Sequence, residues 1–388
     1  MNIAIGKPAG SAPGTPPPEV ARVDRKQVAS QWRLIWWKFT RHRIAVAAGG
    51  IVFTMYLVGL FAEILSPADP NATAARFTYA PPQTIHFLQR DAGGGTHFVP
   101  HVFGYKMQLD QNSLRRTFVP DPAQQIPLGF FVKGAPYQMW GFIPWDRHLI
   151  GPLKKGDPFY LLGADRLGRD MLSRIIYGAR VSMSIGLVGV FLSLMIGVVL
   201  GGVSGYYGGQ VDNIIQRLIE FLRSMPTIPL WMGLAAAIPL AWPPLRVYFM
   251  ITVLISLIGW TSLAREVRGR VMALRDDDFV IAARLDNVSQ FRIITRHLVP
   301  AFASHIIAVT TLAVPEMILA ETSLSFLGIG LQPPIVSWGV LLKEAQNVNT
   351  VATAPWLLLP GLAVVIAVLS LNFLGDGLRD AADPYSRN

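Results

Sequence analysis

Apolar residues along this chain gather into long runs separated by charged or proline-rich stretches. A run of about 18 residues suffices to cross a hydrocarbon core of roughly 30 Å. On that measure the pattern predicts spans at Ile44–Leu65, Val181–Gly205, Ser224–Ala241, Val247–Leu263, Ala303–Glu321 and Trp356–Leu374. The third carries Pro226, Pro229 and Pro239, so a kinked or partly re-entrant course is expected there. Membranes tolerate such a course where neighbouring helices re-satisfy the backbone. The fold class expected is all-α polytopic membrane protein, with about six transmembrane helices and a small extracytoplasmic insertion of mixed or irregular structure.

Composition fits this picture: 52% of residues are hydrophobic and 15% charged. A net charge of +10 would point to nucleic acid in a soluble protein. Here Lys and Arg concentrate beside the spans, where they fix topology, so no nucleic-acid partner is expected. The absence of cysteine excludes disulfides, thiol catalysis and iron–sulfur ligation. Residues 1–31 are rich in Pro, Gly and Ala and then polar, and are expected to be disordered. Residues 32–66 form an amphipathic lead-in and the first span.

Seven basic residues between Arg22 and Arg43, against Asp24 alone, place the N-terminus in the cytoplasm. Counting spans forward puts the 206–223 connection, the charged island at 264–302 and the tail at 379–388 on the same side. The island's own Arg265, Arg268, Arg270, Arg275, Arg284, Arg292 and Arg296 agree independently. Residues 67–158 then lie outside. Loops of that length translocate largely regardless of charge. Stretches such as HFVPHVFGY predict short strands and turns within this insertion. Phe130, Phe131, Trp140, Phe142 and Trp145 are expected to form its small core, with a partner or the membrane interface as the other use.

Within the island, DFVIAARLDNVSQFRIITRHLVPA (Asp278 to Ala301) reads as two short helices, about Asp277–Asp286 and Gln290–His297. Asp286-Asn287-Val288-Ser289 between them is turn chemistry. Asn is the commonest non-glycine residue in the left-handed conformation that ends helices, and Ser289 is a good N-cap. Pro300 marks entry into the next span. Arg284, Arg292, Arg296 and His297 are expected on the exposed side, with Ile281, Ala282, Phe291 and Ile294 buried. Such a pair is either an amphipathic connection resting on headgroups or a docking site.

The island resembles the cytoplasmic EAA loop of ABC importer permeases, roughly E-A-A-x-x-x-G, then nine residues, then I-x-L-P. Ala282, Ala283 and Arg284 match its start, and RIITRHLVP matches its end. Ile281 stands where the usual Glu would be and Asn287 where the usual Gly would be. Asp286 and the Asp276–Asp278 run are the nearby acidic substitutes. FYLLGADRLGRDMLSRIIYGARVSMSIG (Phe159 to Gly186), YYGGQVDN at 206–213 and ILAETSLSFLGIGLQPPIVSWG (Ile318 to Gly339) are similar to the dipeptide, oligopeptide and nickel branch of that family. The resemblance covers about residues 32–66 and 159–386, and the permease core would run over 159–378.

That resemblance implies a type I importer permease fold in a bacterial inner membrane. The chain would form half of a translocation pathway for peptides or similar solutes; other members of the branch carry nickel or oligosaccharides. Its implied partners are a second permease subunit, making a heterodimer, two cytoplasmic ATPase subunits holding ATP and Mg, and an external solute-binding protein. No catalytic residue, bound cofactor or metal is expected in this chain: it has no GxxxxGK[ST] loop and no HExxH. A membrane enzyme would be the other class, drawing on His86, His97, His101 and His148, whose spacing matches no known motif. Glu316 and Glu321 fall in or at the end of the fifth span. A carboxylate there is a functional candidate, with a structural role the preferred reading for Glu321. Asp165, Arg169 and Asp170 are read as capping and pairing locally ahead of the second span.

Overall fold

A computed structural model describes residues 31–90, 96–109, 116–239 and 241–382. The expected disordered segment 1–31 lies outside them except for Gln31, as does the tail beyond residue 382. The chain begins with α1 (Gln31–Arg41), α2 (Arg43–Leu60) and the single turn α3 (Ala62–Leu65). Four antiparallel strands follow in the order β1-β2-β3-β4: β1 (His86–Arg90), β2 (Thr96–Leu109), β3 (Arg116–Met139) and β4 (Ile143–Pro152). Next come α4 (Met171–Tyr207), α5 (Gly209–Ser224), α6 (Thr227–Ala236) and α7 (Pro244–Leu274). The island holds α8 (Asp278–Leu285), α9 (Gln290–Arg292), a π-helical turn (Ile293–Leu298) and α10 (Val299–Ala301). The chain closes with α11 (Ala303–Phe326), α12 (Trp338–Leu342), α13 (Val348–Thr353) and α14 (Leu359–Ala382).

Five helices among the described residues are long and apolar enough to cross a membrane: α2, α4, α7, α11 and the stretch Pro355–Ala382 that contains α14. The third expected span, Ser224–Ala241, is not among them. Its helix, α6, has 10 residues, about 15 Å at 1.5 Å per residue. Prolines set both limits: Pro226 is its N-cap, and Pro239 and Pro243 lie beyond its end, where a missing N–H prevents the helix continuing.

The chain nevertheless returns across the bundle at this point, because α4 and α7 run parallel. Gly189 O accepts from Ser256 Oγ at 3.0 Å, Gly197 faces Leu263 and Ala264, and Gly205 faces Arg268 and Val271. Contact positions thus rise together along both helices. The segment between them must travel back, and α5 and α6 divide that journey. The glycines permit the approach: a Cβ on Gly201 would lie 2.4 Å from Ala264 O, so any larger residue would force the helices apart. Helices α2, α11 and α14 pack around this pair, with Met183, Ile185, Ile255, Ile318, Trp338 and Leu371 in the shared core.

The sheet departs from expectation in two ways. Its strands are long, 24 residues in β3. Moreover, Phe130, Phe131, Trp140, Phe142 and Trp145 are all exposed. The core is built instead from Val102, Ile126, Leu128 and Phe159, and from Ala80, Tyr105, Tyr160 and Ala164 with Phe77 and Phe118 packed on them. Strand alternation buries Ile126 and Leu128, but Phe131 has φ +52° and the register shifts between Lys133 and Tyr137. Both interrupt the period of two after Phe130, which is exposed although it shares the parity of Ile126 and Leu128, while Trp140 and Phe142 sit in the turn between β3 and β4.

Candidate functional site

The island sits as a folded unit on the ends of α4 and α7. Val280, Ala283, Ile293, Ile294 and Leu298 are buried against Tyr206, Val267, Val271 and Phe302. The turn forms as its sequence requires: Asn287 has φ +57°, Asn287 N–H donates to Arg284 O at 3.0 Å and Val288 N–H to Ala283 O at 3.1 Å. These bonds satisfy carbonyls that the end of α8 would leave open. Asp286 ends α8 and is exposed, as are Asp276, Asp277 and Asp278. Ser289 occupies the N-cap position of α9 but makes no side-chain capping bond; its contribution is the extended backbone that lets the helix start.

The burial phase of the pair differs from the expected one. Ile294 is buried, whereas Ile281, Ala282 and Phe291 face outward. Leu285 is 81% exposed and Phe291 70% exposed. The inward positions are Val280 and Ala283, one residue either side of those predicted. Both faces of α8 carry apolar side chains, and eight residues are too few for periodicity to choose between them. Arg292, Arg296 and Pro300 are exposed, and His297 is half-buried.

Arg284 turns back onto the bundle. Its guanidinium lies 5.1 Å from the centroid of the Tyr206 ring, donates to Tyr206 Oη at 3.2 Å and to Arg275 O at 3.1 Å. Stacking and hydrogen bonding together lock α8 to the end of α4. Nearby, Arg268 on α7 donates to both Asp212 oxygens at 2.6 Å, and Ser204 Oγ donates to the same carboxylate at 2.5 Å. Charge counting treats Arg268 as a topology signal alone. Its true partner, 56 residues away, lies in the YYGGQVDN stretch and has no local signature.

Glu321 is fully buried. Ser325 Oγ and Ser337 Oγ donate to its Oε1 at 2.8 and 2.7 Å, and Ser182 Oγ donates to Oε2 at 3.2 Å. Those hydroxyls in turn accept from the backbone N–H groups of Leu331, Val340 and Trp338. One carboxylate thereby ties α4, α11 and the loop before α12 together. Glu316, five residues earlier, is exposed and makes no hydrogen bond or ion pair among the described residues. It lines a cavity of about 370 Å³ with Arg223, Thr227, Trp231, Thr261 and Ser262, and Arg223 donates to Ser262 Oγ at 2.9 Å. The structure therefore separates the two carboxylates, one sealed in a helix junction and one facing open space.

A second polar cluster sits at the opposite end of α4 from the island. Asp165 accepts from Leu167 N, Arg169 N and Arg169 Nε at 2.8, 3.0 and 2.6 Å. Arg169 also reaches Glu344 at 3.4 Å, and Asp170 caps α4 by accepting from Ser173 N at 2.7 Å. Burial pushes the Asp170 carboxyl up to about 6. At the end of α2, burial works to raise Glu63, but hydrogen bonds and charge from Arg180 outweigh it and hold the carboxyl below its usual range. Arg180 also donates to Gly59 O at 2.7 Å and to Leu60 O at 3.1 Å. In the sheet, His148 has both ring nitrogens on backbone carbonyls, Ser66 O at 2.5 Å and Ala135 O at 3.0 Å.

Residues 197–388 match the family described as binding-protein-dependent transport system inner membrane component, and residues 30–82 match the N-terminal transmembrane domain of oligopeptide transport permease C. The chain is 35% identical to the oligopeptide transport system permease protein OppC of Haemophilus influenzae over 73% of its length and 92% of the relative's. It is also 35% identical to the glutathione transport system permease protein GsiD of Pectobacterium atrosepticum, over 92% and 93% of the two chains. A chain of the inward-facing MetNI methionine ABC transporter aligns with a TM-score of 0.43 at 16% identity, covering 55% of this chain and 98% of that one. Membership of this family implies ATPase and substrate-binding protein partners. With its apolar helices and these relatives, the chain belongs to the binding-protein-dependent inner membrane components and is a multi-pass permease subunit of an ABC importer.

Proposed function

We propose that the island is the element through which a cytoplasmic ATPase drives this permease. The observation that carries this reading is the pair of exposed side chains Leu285 and Phe291 on a helical unit whose other side is clamped to α4 and α7. Phe279 and Ile281 are exposed on the same helix. An apolar cluster presented on a rigid support is what a docking groove selects. Because Ile293, Ile294 and Leu298 are packed into the bundle, displacement of α8 passes to the spans without loss in flexible backbone. Ile281, in place of the family's Glu, extends the apolar surface. Asp286 and Asp276–Asp278 supply the acidic charge at its edge, while Arg292 and Arg296 supply cations that favour specific docking.

On this reading the island, both termini and α1 face the cytoplasm, and residues 67–158 form the extracytoplasmic insertion. The 159–378 core provides half of a pathway completed by a second, different permease subunit. Two ATPase subunits bind ATP and Mg, and an external binding protein delivers the solute. The named relatives transport oligopeptides and glutathione, which supports a peptide-like solute here. Glu316 and Arg223 line the pathway, where a carboxylate at membrane depth requires water or a partner.

The test is purification of the native complex with Leu285→Asp or Phe291→Asp. Membrane insertion should be unchanged while the ATPase subunits no longer co-purify and peptide uptake is lost. Undiminished ATPase recovery with both variants would overturn the docking assignment.

A further inference from the structure

Where the β3–β4 hairpin turns, its tip touches the end of α2 rather than the rest of the sheet's surroundings. Trp140 Nε1–H donates to Leu60 O at 2.8 Å and Trp140 N–H donates to Glu63 Oε1 at 3.2 Å. The indole lies 5.9 Å from the Phe61 ring and 6.1 Å from the Phe142 ring. Leu60 is the last residue of an 18-residue apolar helix. That helix is about 27 Å long at 1.5 Å per residue, close to the roughly 30 Å hydrocarbon thickness. The hydrogen bond to Leu60 therefore fixes the tip at the depth where hydrocarbon gives way to headgroups.

We infer that the β3–β4 tip is an interfacial anchor, seated in the headgroup region of the bilayer. Phe142 is 70% exposed, and Trp140, Ile143 and Trp145 are exposed beside it. This patch continues an exposed apolar stripe of α2, where Phe53, Leu57 and Leu60 are exposed at i, i+4 and i+7. Indoles and phenyl rings at this depth match the aromatic belts of membrane proteins. The polar groups at the same level complete the match: Arg180 bonds Glu63, Gly59 O and Leu60 O, setting a guanidinium–carboxylate pair at the end of α2. An aqueous sheet would gain nothing by presenting these rings to water. The occupant is phospholipid because the patch is continuous with the exposed apolar stripe of a helix long and apolar enough to cross a membrane.

The chain has no cysteine, so a single introduced thiol reports one position. Phe142→Cys and Trp145→Cys, each carrying a nitroxide, are compared with Gln108→Cys, an exposed position on β2. Each is placed in the assembled complex in phosphatidylethanolamine–phosphatidylglycerol vesicles. Relaxation by oxygen should exceed relaxation by a water-soluble nickel chelate at 142, with intermediate values at 145, and the order should reverse at 108. Nickel access at 142 equal to that at 108 would mean an aqueous tip and overturn the anchor. Shielding of 142 from both reagents would assign the patch to a protein partner and overturn it equally. Trp140 is left intact throughout, so its hydrogen bond to Leu60 is retained in every sample.

Discussion

Asp212 and Arg268, 56 residues apart, meet in a two-pronged ion pair with both donor distances at 2.6 Å. The pair joins the first turn of α5 to α7 beside the buried underside of the island. It fixes where the returning segment begins and, through α7, where the island rests.

Replacing that carboxylate with Asp212→Asn removes the charge while keeping the shape. The expected cost is about 1.5–3 kcal/mol, the usual range for hydrogen bonds to charged groups. Thermal unfolding of the purified complex should show a lowered midpoint, restored in part by Asp212→Glu. An unchanged midpoint in the Asn variant would mean the pair is ornamental.

Asp170 makes a pH prediction. Burial raises its carboxyl from an ordinary value of 3.8 to about 6. A folded value above the unfolded one means its contribution is fully present below about pH 4 and is lost as pH rises through about 6. Asp170→Asn keeps an acceptor for Ser173 N–H but has no charge to bury. Its stability relative to the parent should therefore increase between about pH 4 and 6 and level off above that. A difference that stays flat, or falls, over that interval would refute the assignment.

At Glu321 the two obvious replacements should behave differently. Glu321→Gln retains an acceptor for the Ser337 and Ser325 hydroxyls, so a modest loss is expected. Glu321→Ala strands buried hydroxyls, each costing about 1–3 kcal/mol, and should deplete the assembled protein from membranes. Quantitative immunoblotting of membrane fractions distinguishes the pair; equal abundance would contradict the junction role.

The backbone at Asn287, with φ +57°, prefers residues without a branched Cβ. Asn287→Gly should match the parent in stability and uptake. Asn287→Val should cost about 1–2 kcal/mol, the penalty of the left-handed region, and weaken coupling by loosening α8. Comparable ATPase stimulation by solute in both variants would show the turn to be unimportant.

Much of this was legible in the chain because long apolar runs and basic flanks are strong signals. The island's turn was legible too, since Asn287 has few conformational reasons to sit where it does. What escaped detection depended on packing. Ile281 and Phe291 point outward because the bundle already fills the other side with Val280, Ala283 and Ile293, and two turns of helix offer no periodicity to reveal that. Hydrophobicity alone points Phe130 and Phe142 inward, yet Phe130 is exposed on the parity of buried Ile126 and Leu128, and Phe142 sits in the turn between β3 and β4. The pairing of Asp212 with Arg268, and of Glu63 with Arg180, joins residues whose separation in sequence carries no trace of their contact. The prolines of the third span, which predict a kinked or partly re-entrant course, stop α6 at 10 residues.

That last break has an orienting effect. Arg223 bonds Ser262 and Trp231 shares a cavity with Ile255, so the link at Met225–Pro226 lies beside the Ile255–Ser262 stretch of α7, within the expected span Val247–Leu263. Non-helical backbone at that depth survives only against protein or water, never against lipid tails. The interruption therefore acts as a compass: the side of the subunit bearing Met225 and Pro226, with Glu316 across the cavity, faces away from the bilayer, and the opposite side carries the lipid.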